Sequence, residues 1–106
     1  LGQHHQFHRY NSGKDKWGEE RYFKITKTIY GDLDERLGQT KYLAGENYSI
    51  ADIATFPWIA RHEWHDIGLK KYKHLSRWYE FISIRPGVRR GYDCLNTGEK
   101  IPEIKL

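Results

Sequence analysis

The stretch Tyr48-Ser49-Ile50-Ala51-Asp52-Ile53-Ala54-Thr55-Phe56-Pro57-Trp58-Ile59 constrains the fold more than any other part of this chain. Ser49 and Asp52, three residues apart, have the spacing of a capping box. The Ser49 hydroxyl is expected to accept from the Asp52 backbone N–H, and the Asp52 carboxylate from the Ser49 N–H. Aspartate is shorter than the usual glutamate or glutamine, so the return bond requires a tight first turn. Tyr48 and Ile53 fall at the two positions of a hydrophobic staple. Behind the cap, Ile50, Ala51, Ile53, Ala54, Phe56, Trp58 and Ile59 leave little polar face. A helix apolar nearly all round belongs in a core. An acid in such a segment also raises the option of a buried catalytic carboxylate, but the spacing to Ser49 explains Asp52 as a cap.

The rest of the chain reads as helices around this one. Residues 1–10 have the character of a helix end, and Asn11-Ser12-Gly13-Lys14-Asp15-Lys16 that of a loop. From about Trp17 to Leu37, the residues Tyr22, Ile25, Ile29, Leu33 and Leu37 recur at three- and four-residue spacing and form one apolar stripe. Asp34-Glu35-Arg36 falls on the wet side, and Gly38 is placed to end the helix. The capped helix is expected to run from Ile50 to about Glu63, with a kink at Pro57, which lacks the N–H its turn would use. Residues 66–74 read as an irregular basic connector. Leu75, Trp78, Tyr79 and Ile82 form the next stripe, and Pro86 opens a short last helix. Residues 92–106 read as tail. The predicted class is all-α, a bundle of four to five helices.

At 106 residues the chain is one domain with a modest core. Its 38% hydrophobic content is low, but four Trp, eight Tyr and four Phe supply large burial areas. The net charge of +4 comes from scattered basic residues with acids among them, a solvated surface rather than a nucleic-acid stripe. No apolar run is long enough for a membrane span. The single cysteine, Cys94, excludes an intrachain disulfide framework and reads as a semi-buried, unactivated thiol. A reducing, cytoplasmic setting is the expectation. His4-His5-x-x-His8 places two imidazoles on one helical face, but no third ligand at matching spacing is evident, and His62-Glu63-Trp64-His65 is too short for a zincin motif. No metal is expected.

Four segments in order resemble the C-terminal domain of glutathione transferases. These are Leu1-Gly2-Gln3-His4-His5-Gln6-Phe7, Glu20-Arg21-Tyr22, Gly45-Glu46-Asn47-Tyr48 leading into Ser49-Ile50-Ala51-Asp52 with Pro57-Trp58, and Ile84-Arg85-Pro86-Gly87-Val88. The pattern is most similar to the nu-class and yeast nitrogen-regulator-like branch. The resemblance implies a helical domain, residues 1–106, preceded in its family by a thioredoxin-like domain and the start of the first helix. The absence of methionine fits a fragment or a processed form. It further implies a homodimer that uses glutathione as substrate. Thiol-activating groups would reside in the thioredoxin-like partner domain, so this domain alone would not be catalytic. Its roles would be to help bind glutathione and an electrophile or disulfide, and to scaffold the dimer. No nucleic-acid or membrane partner is implied. The alternative is a non-catalytic interaction module of the same fold, as found in translation-factor and synthetase complexes.

Arg21 is the first candidate for binding glutathione, since a guanidinium presents a planar fork suited to carboxylates. The competing reading is an ordinary ion pair with Asp15, Glu19 or Glu20. The resemblance places Gln3, His4 and Phe7 near the glutathione and electrophile pocket. Trp58, Trp64 and Trp78 read as packing residues, with Trp64 the nearest of the three to such a pocket. Ser49 and Asp52 are structural.

Overall fold

In the computed structural model, residues 1–104 are described, and the last two residues of the predicted tail lie outside them. Six α-helices occur among the described residues, one more than the upper expectation. Helix α1, Gly2–His4, runs on into a π-helical stretch, His5–Tyr10; α2 is Lys16–Gln39, α3 Ile50–Ile59, α4 His62–His65, α5 Lys73–Ser83 and α6 Pro86–Tyr92. A 3₁₀ turn, Leu69–Lys71, sits within the basic connector.

Helix α3 starts where the sequence places it. The capping box forms in both directions: Ser49 N–H donates to Asp52 Oδ2 at 3.0 Å, and Ser49 Oγ also accepts from Ala51 N–H at 3.3 Å. The other carboxylate oxygen, Oδ1, accepts from Leu43 N–H at 3.1 Å and from Trp78 Nε1–H at 2.8 Å. Asp52, fully buried, therefore ties the cap, the preceding connector and α5 together. One expectation fails here. Asp52, Phe56 and Ile59 face the interior, but Ile50 is 83% exposed, Ile53 54% and Trp58 46%. Helix α3 packs on α5 along its buried face, and Trp58 on the other side is tilted against His5, while Ile50 and Ile53 stay exposed.

The helix passes through Pro57 but stops at Ile59 rather than Glu63. Pro57 leaves the Ile53 carbonyl without its helical donor. Beyond it the chain tightens, with Arg61 N–H donating to Trp58 O at 3.1 Å, and Arg61 (φ −89°, ψ 21°) leaves the helical region. Helix α4 then restarts at His62 and ends at left-handed Asp66 (φ 58°).

Helix α2 begins one residue before the expectation because Asp15 caps it, accepting from Gly18 N–H at 3.2 Å. Its buried line runs through Thr26, Tyr30 and Leu37, with Phe23 and Leu33 beside it. The expected stripe is rotated by about one residue, so Ile25 is exposed. Polar Thr26 is tolerated inside because its hydroxyl donates to Tyr22 O at 2.8 Å. Gly38 does not end the helix, which continues to Gln39. A Cβ on Gly38 would lie 3.0 Å from the His74 ring, so glycine there lets the start of α5 approach α2.

Asp34 is not on the wet side. Its Oδ1 accepts from His74 N–H at 2.8 Å and Leu75 N–H at 2.9 Å, capping α5 from another helix. The α5 stripe is buried as expected: Leu75, Trp78, Tyr79 and Ile82 join Tyr30, Leu37, Phe56 and Ile59 in the core. Pro86 is the first residue of α6, also as expected. The segment after it is more ordered than a tail reading implies. The Asp93 carboxylate accepts from the N–H groups of Thr97, Gly98 and Glu99 at 3.0–3.1 Å, Tyr79 Oη donates to Pro102 O, and Ile101 and Ile104 pack on the core. Cys94 is exposed rather than semi-buried. No helix among the described residues is long and apolar enough to cross a membrane.

Candidate functional site

The start of α2 and the adjoining π-helical stretch build one cluster. Phe7 stacks on Tyr22 with ring centroids 5.5 Å apart and planes within 4°. Gly18 makes room for this contact, since a Cβ there would lie 3.1 Å from the Phe7 ring. Next to Tyr22, Arg21 is exposed, with its Cζ 5.5 Å from the Trp17 ring centroid and 5.9 Å from that of Tyr22. Guanidinium groups stack on aromatic faces while keeping their N–H edges available.

The three acids nearest Arg21 in sequence are engaged elsewhere. Asp15 caps Gly18. Glu19 accepts from Gly13 N–H at 3.2 Å and lies 3.2 Å from His8 Nδ1. Glu20 pairs with Lys16 at 3.9 Å. No ion pair of Arg21 occurs among the described residues. The cluster can therefore do one chemical thing well: offer an uncompensated planar cation beside aromatic surface to a carboxylate.

Not every candidate residue gathers there. Gln3 is exposed on α1, four residues before Phe7. His4 is fully buried and points inward, its Nε2–H donating to His65 O at 2.7 Å. It lines no open surface of this chain. Trp64 lies on the other flank of α1, against His5 and between the guanidiniums of Arg9 and Arg61, whose Cζ atoms are 4.7 and 4.4 Å from its ring centroid. Trp58 is half-exposed and tilted against His5, and Trp78 is buried on Asp52.

The feature that sequence reasoning missed is a buried set of imidazoles joining α1 to α4. His4, His5, His62 and His65 are all buried. His5 stacks on His65 at 4.6 Å and 20°, His4 on His8 at 4.8 Å, and His4 lies 5.7 Å from His65. Tyr30 Oη shares a hydrogen bond of 2.5 Å with His65 Nδ1. Burial is the main cause lowering the pKa of His4, of His5 and of His65, the last to about 3, with mutual repulsion of the rings adding to it. Burial likewise raises that of Tyr30. The rings are stacked rather than convergent, and no group able to hold a metal ion occurs among the described residues. Nothing in the spacing signals this set, because its halves lie 61 residues apart.

Helices packed in this order, with α3 capped by Ser49 and Asp52, form an all-helical module of the glutathione transferase type. The family model described as "Glutathione S-transferase, C-terminal domain" matches residues 6–86, and the chain belongs to that family. It is 40% identical over 88 residues to the disulfide-bond oxidoreductase YfcG of Escherichia coli, covering 83% of this chain and 41% of that protein. It is 34% identical over 94 residues to the disulfide-bond oxidoreductase YghU of the same organism, covering 80% and 32%. A crystal structure of a glutathione transferase from Burkholderia graminis, with two glutathione molecules bound per subunit, superposes with a TM-score of 0.78. It is 32% identical and is matched over 92% of this chain and 43% of its own. The chain thus spans less than half the length of these relatives.

Proposed function

We propose that this domain supplies the helical wall of a glutathione site in a glutathione-dependent transferase or disulfide reductase of the nu-class and nitrogen-regulator-like branch. Arg21 receives a carboxylate of glutathione, with Phe7, stacked on Tyr22, beside it. The observation that carries this reading is the uncompensated Arg21 guanidinium, held on Trp17 and Tyr22 while every nearby acid is occupied. The names of the two oxidoreductases and the glutathione-bound neighbour support it.

The thiol chemistry comes from an upstream thioredoxin-like domain. The relatives have more than half their length outside the matched region, room enough for such a domain. Its docking surface is the apolar groove of ≈ 910 Å³ between α3 and α6, which includes Ile53, Phe56, Pro57 and Val88. This would cover the exposed Ile53 of α3. A homodimer completes the assembly.

The test is glutathione binding by calorimetry to the domain joined to its upstream partner, for wild type and Arg21→Ala. Loss of a charge-assisted bond predicts about tenfold weaker binding or more. Unchanged affinity removes Arg21 from the site.

A further inference from the structure

We infer that the contact of His4 and the π-helical stretch after it with α4 is a proton-operated latch: buried neutral imidazoles hold that stretch down, and their protonation releases it. The geometry carries this. His4 and His5 on one side and His65 on the other are buried in direct ring contact. His4 Nδ1, His5 Nε2 and His65 Nε2 have no hydrogen-bond partner among the described residues. A proton on His4 Nδ1 or His5 Nε2 makes a buried N–H with no acceptor, and a charge on any of the three rings is buried with no counter-ion; both are costly. Opening the contact lets water solvate that charge.

The surrounding charges favour release. Arg61, at the α3–α4 junction, acts against a proton on His5, and His62 in α4 against one on His65. From α2, the Tyr30 hydroxyl faces His65 and stays neutral. Two carboxylates oppose them. Glu19 of α2 and Asp66 after α4 lie 3.2 and 3.4 Å from the two nitrogens of His8, at the rim of the stack. Asp66 also favours a proton on His4 from a distance, but it is largely exposed and does not offset burial.

The direction follows from linkage. A histidine whose folded pKa lies below its unfolded value leaves stability untouched at neutral pH. Stability falls as pH drops below the ordinary value of about 6.5, because the open state takes up protons first. Each inner ring can add up to about a tenfold increase in opening per pH unit. The consequence for catalysis rests on the glutathione reading above, through Phe7 on the released segment. The latch itself is measured without glutathione.

The experiment is residue-resolved amide hydrogen exchange of the chain between pH 7.5 and 5.0, corrected for intrinsic rates. The opening constant of amides 5–11 is expected to rise at least about tenfold per pH unit below 6.5 and to stay well above that of the α5 amides, which need global unfolding. The double variant His5→Phe with His65→Gln, which keeps an aromatic ring and an acceptor, flattens that dependence. If it does not fold, His5→Phe alone is read, with a slope shallower than wild type. Segment 5–11 staying flat, or opening with the same constant as α5 at every pH, overturns the latch, as does a variant with the wild-type slope. A steep slope together with unchanged glutathione affinity in Arg21→Ala keeps the latch and discards the glutathione wall.

Discussion

Asp34 and Arg77 each close the other's helix. The Asp34 carboxylate, on α2, accepts from the first free N–H groups of α5, at His74 and Leu75. Arg77, one turn into α5, donates from Nη2 to Leu37 O at 3.0 Å and to Thr40 O and Lys41 O at 3.3 Å, where α2 ends. An anion thus sits at a helix N-terminus and a cation at a helix C-terminus, each satisfying backbone groups the helix itself cannot. Tyr72, the residue preceding α5, provides no side-chain cap of its own. The junction of the two longest helices depends on this exchange.

Asp34→Ala should therefore cost about 1–2 kcal/mol, the upper range for losing a helix cap, although Asp34 is not next to α5 in sequence. Asp34→Asn keeps an acceptor and should cost less. Arg77→Ala removes the reciprocal bonds, and the double variant should fall short of the sum, since the two share one junction. Urea unfolding of the four proteins checks this. Additive effects within error would mean that the two caps act separately.

Asp52 predicts a larger loss. Asp52→Ala strips acceptors from the Ser49 N–H, the Leu43 N–H and the Trp78 indole in a site closed to solvent. Unsatisfied buried donors predict a destabilisation of about 3 kcal/mol or more. Trp78→Phe removes one donor and leaves the cap intact, so it should cost less. Equal melting temperatures for wild type and Asp52→Ala would remove Asp52 from its central place. In a longer glutathione-using enzyme, the same substitution should lower stability and leave the chemistry unchanged.

The elements legible in the sequence are those whose signal is local. Ser49 and Asp52 lie within one turn, Pro86 starts its own helix, and the α5 stripe repeats at helical spacing. What escaped is non-local. Asp34 reads as a surface acid until α5, forty residues on, arrives at its carboxylate. His4 reads as a polar residue at a helix end until the fold sets its ring against that of His65. The rotation of the α2 stripe has a related cause: Thr26 is acceptable inside only because its hydroxyl bonds back to Tyr22, a contact that hydrophobic periodicity does not weigh. The same division holds at the site. The Arg21 fork was visible as a residue type, but its freedom from Asp15, Glu19 and Glu20 depends on where those acids turn.

Two glycines of α2 separate helix propensity from packing. Gly31 lies mid-helix, and a Cβ there would meet nothing within 4 Å. Gly31→Ala should stabilise the domain by about 0.5–1 kcal/mol, the ordinary gain in a helix interior. A rise in melting temperature of several degrees would report it, roughly 4–8 °C per kcal/mol for a chain of this size. Gly18 is as helical, but its Cβ would lie 3.1 Å from both Asp15 Oδ2 and the Phe7 ring. Phe7 is already stacked on Tyr22, so it cannot yield without losing that contact, and Asp15 cannot yield without weakening the cap. Gly18→Ala should therefore fail to stabilise, and should loosen the aromatic face beside Arg21. Equal gains from both substitutions would show that Phe7 is not held against α2, and the surface assigned to glutathione would lose its wall.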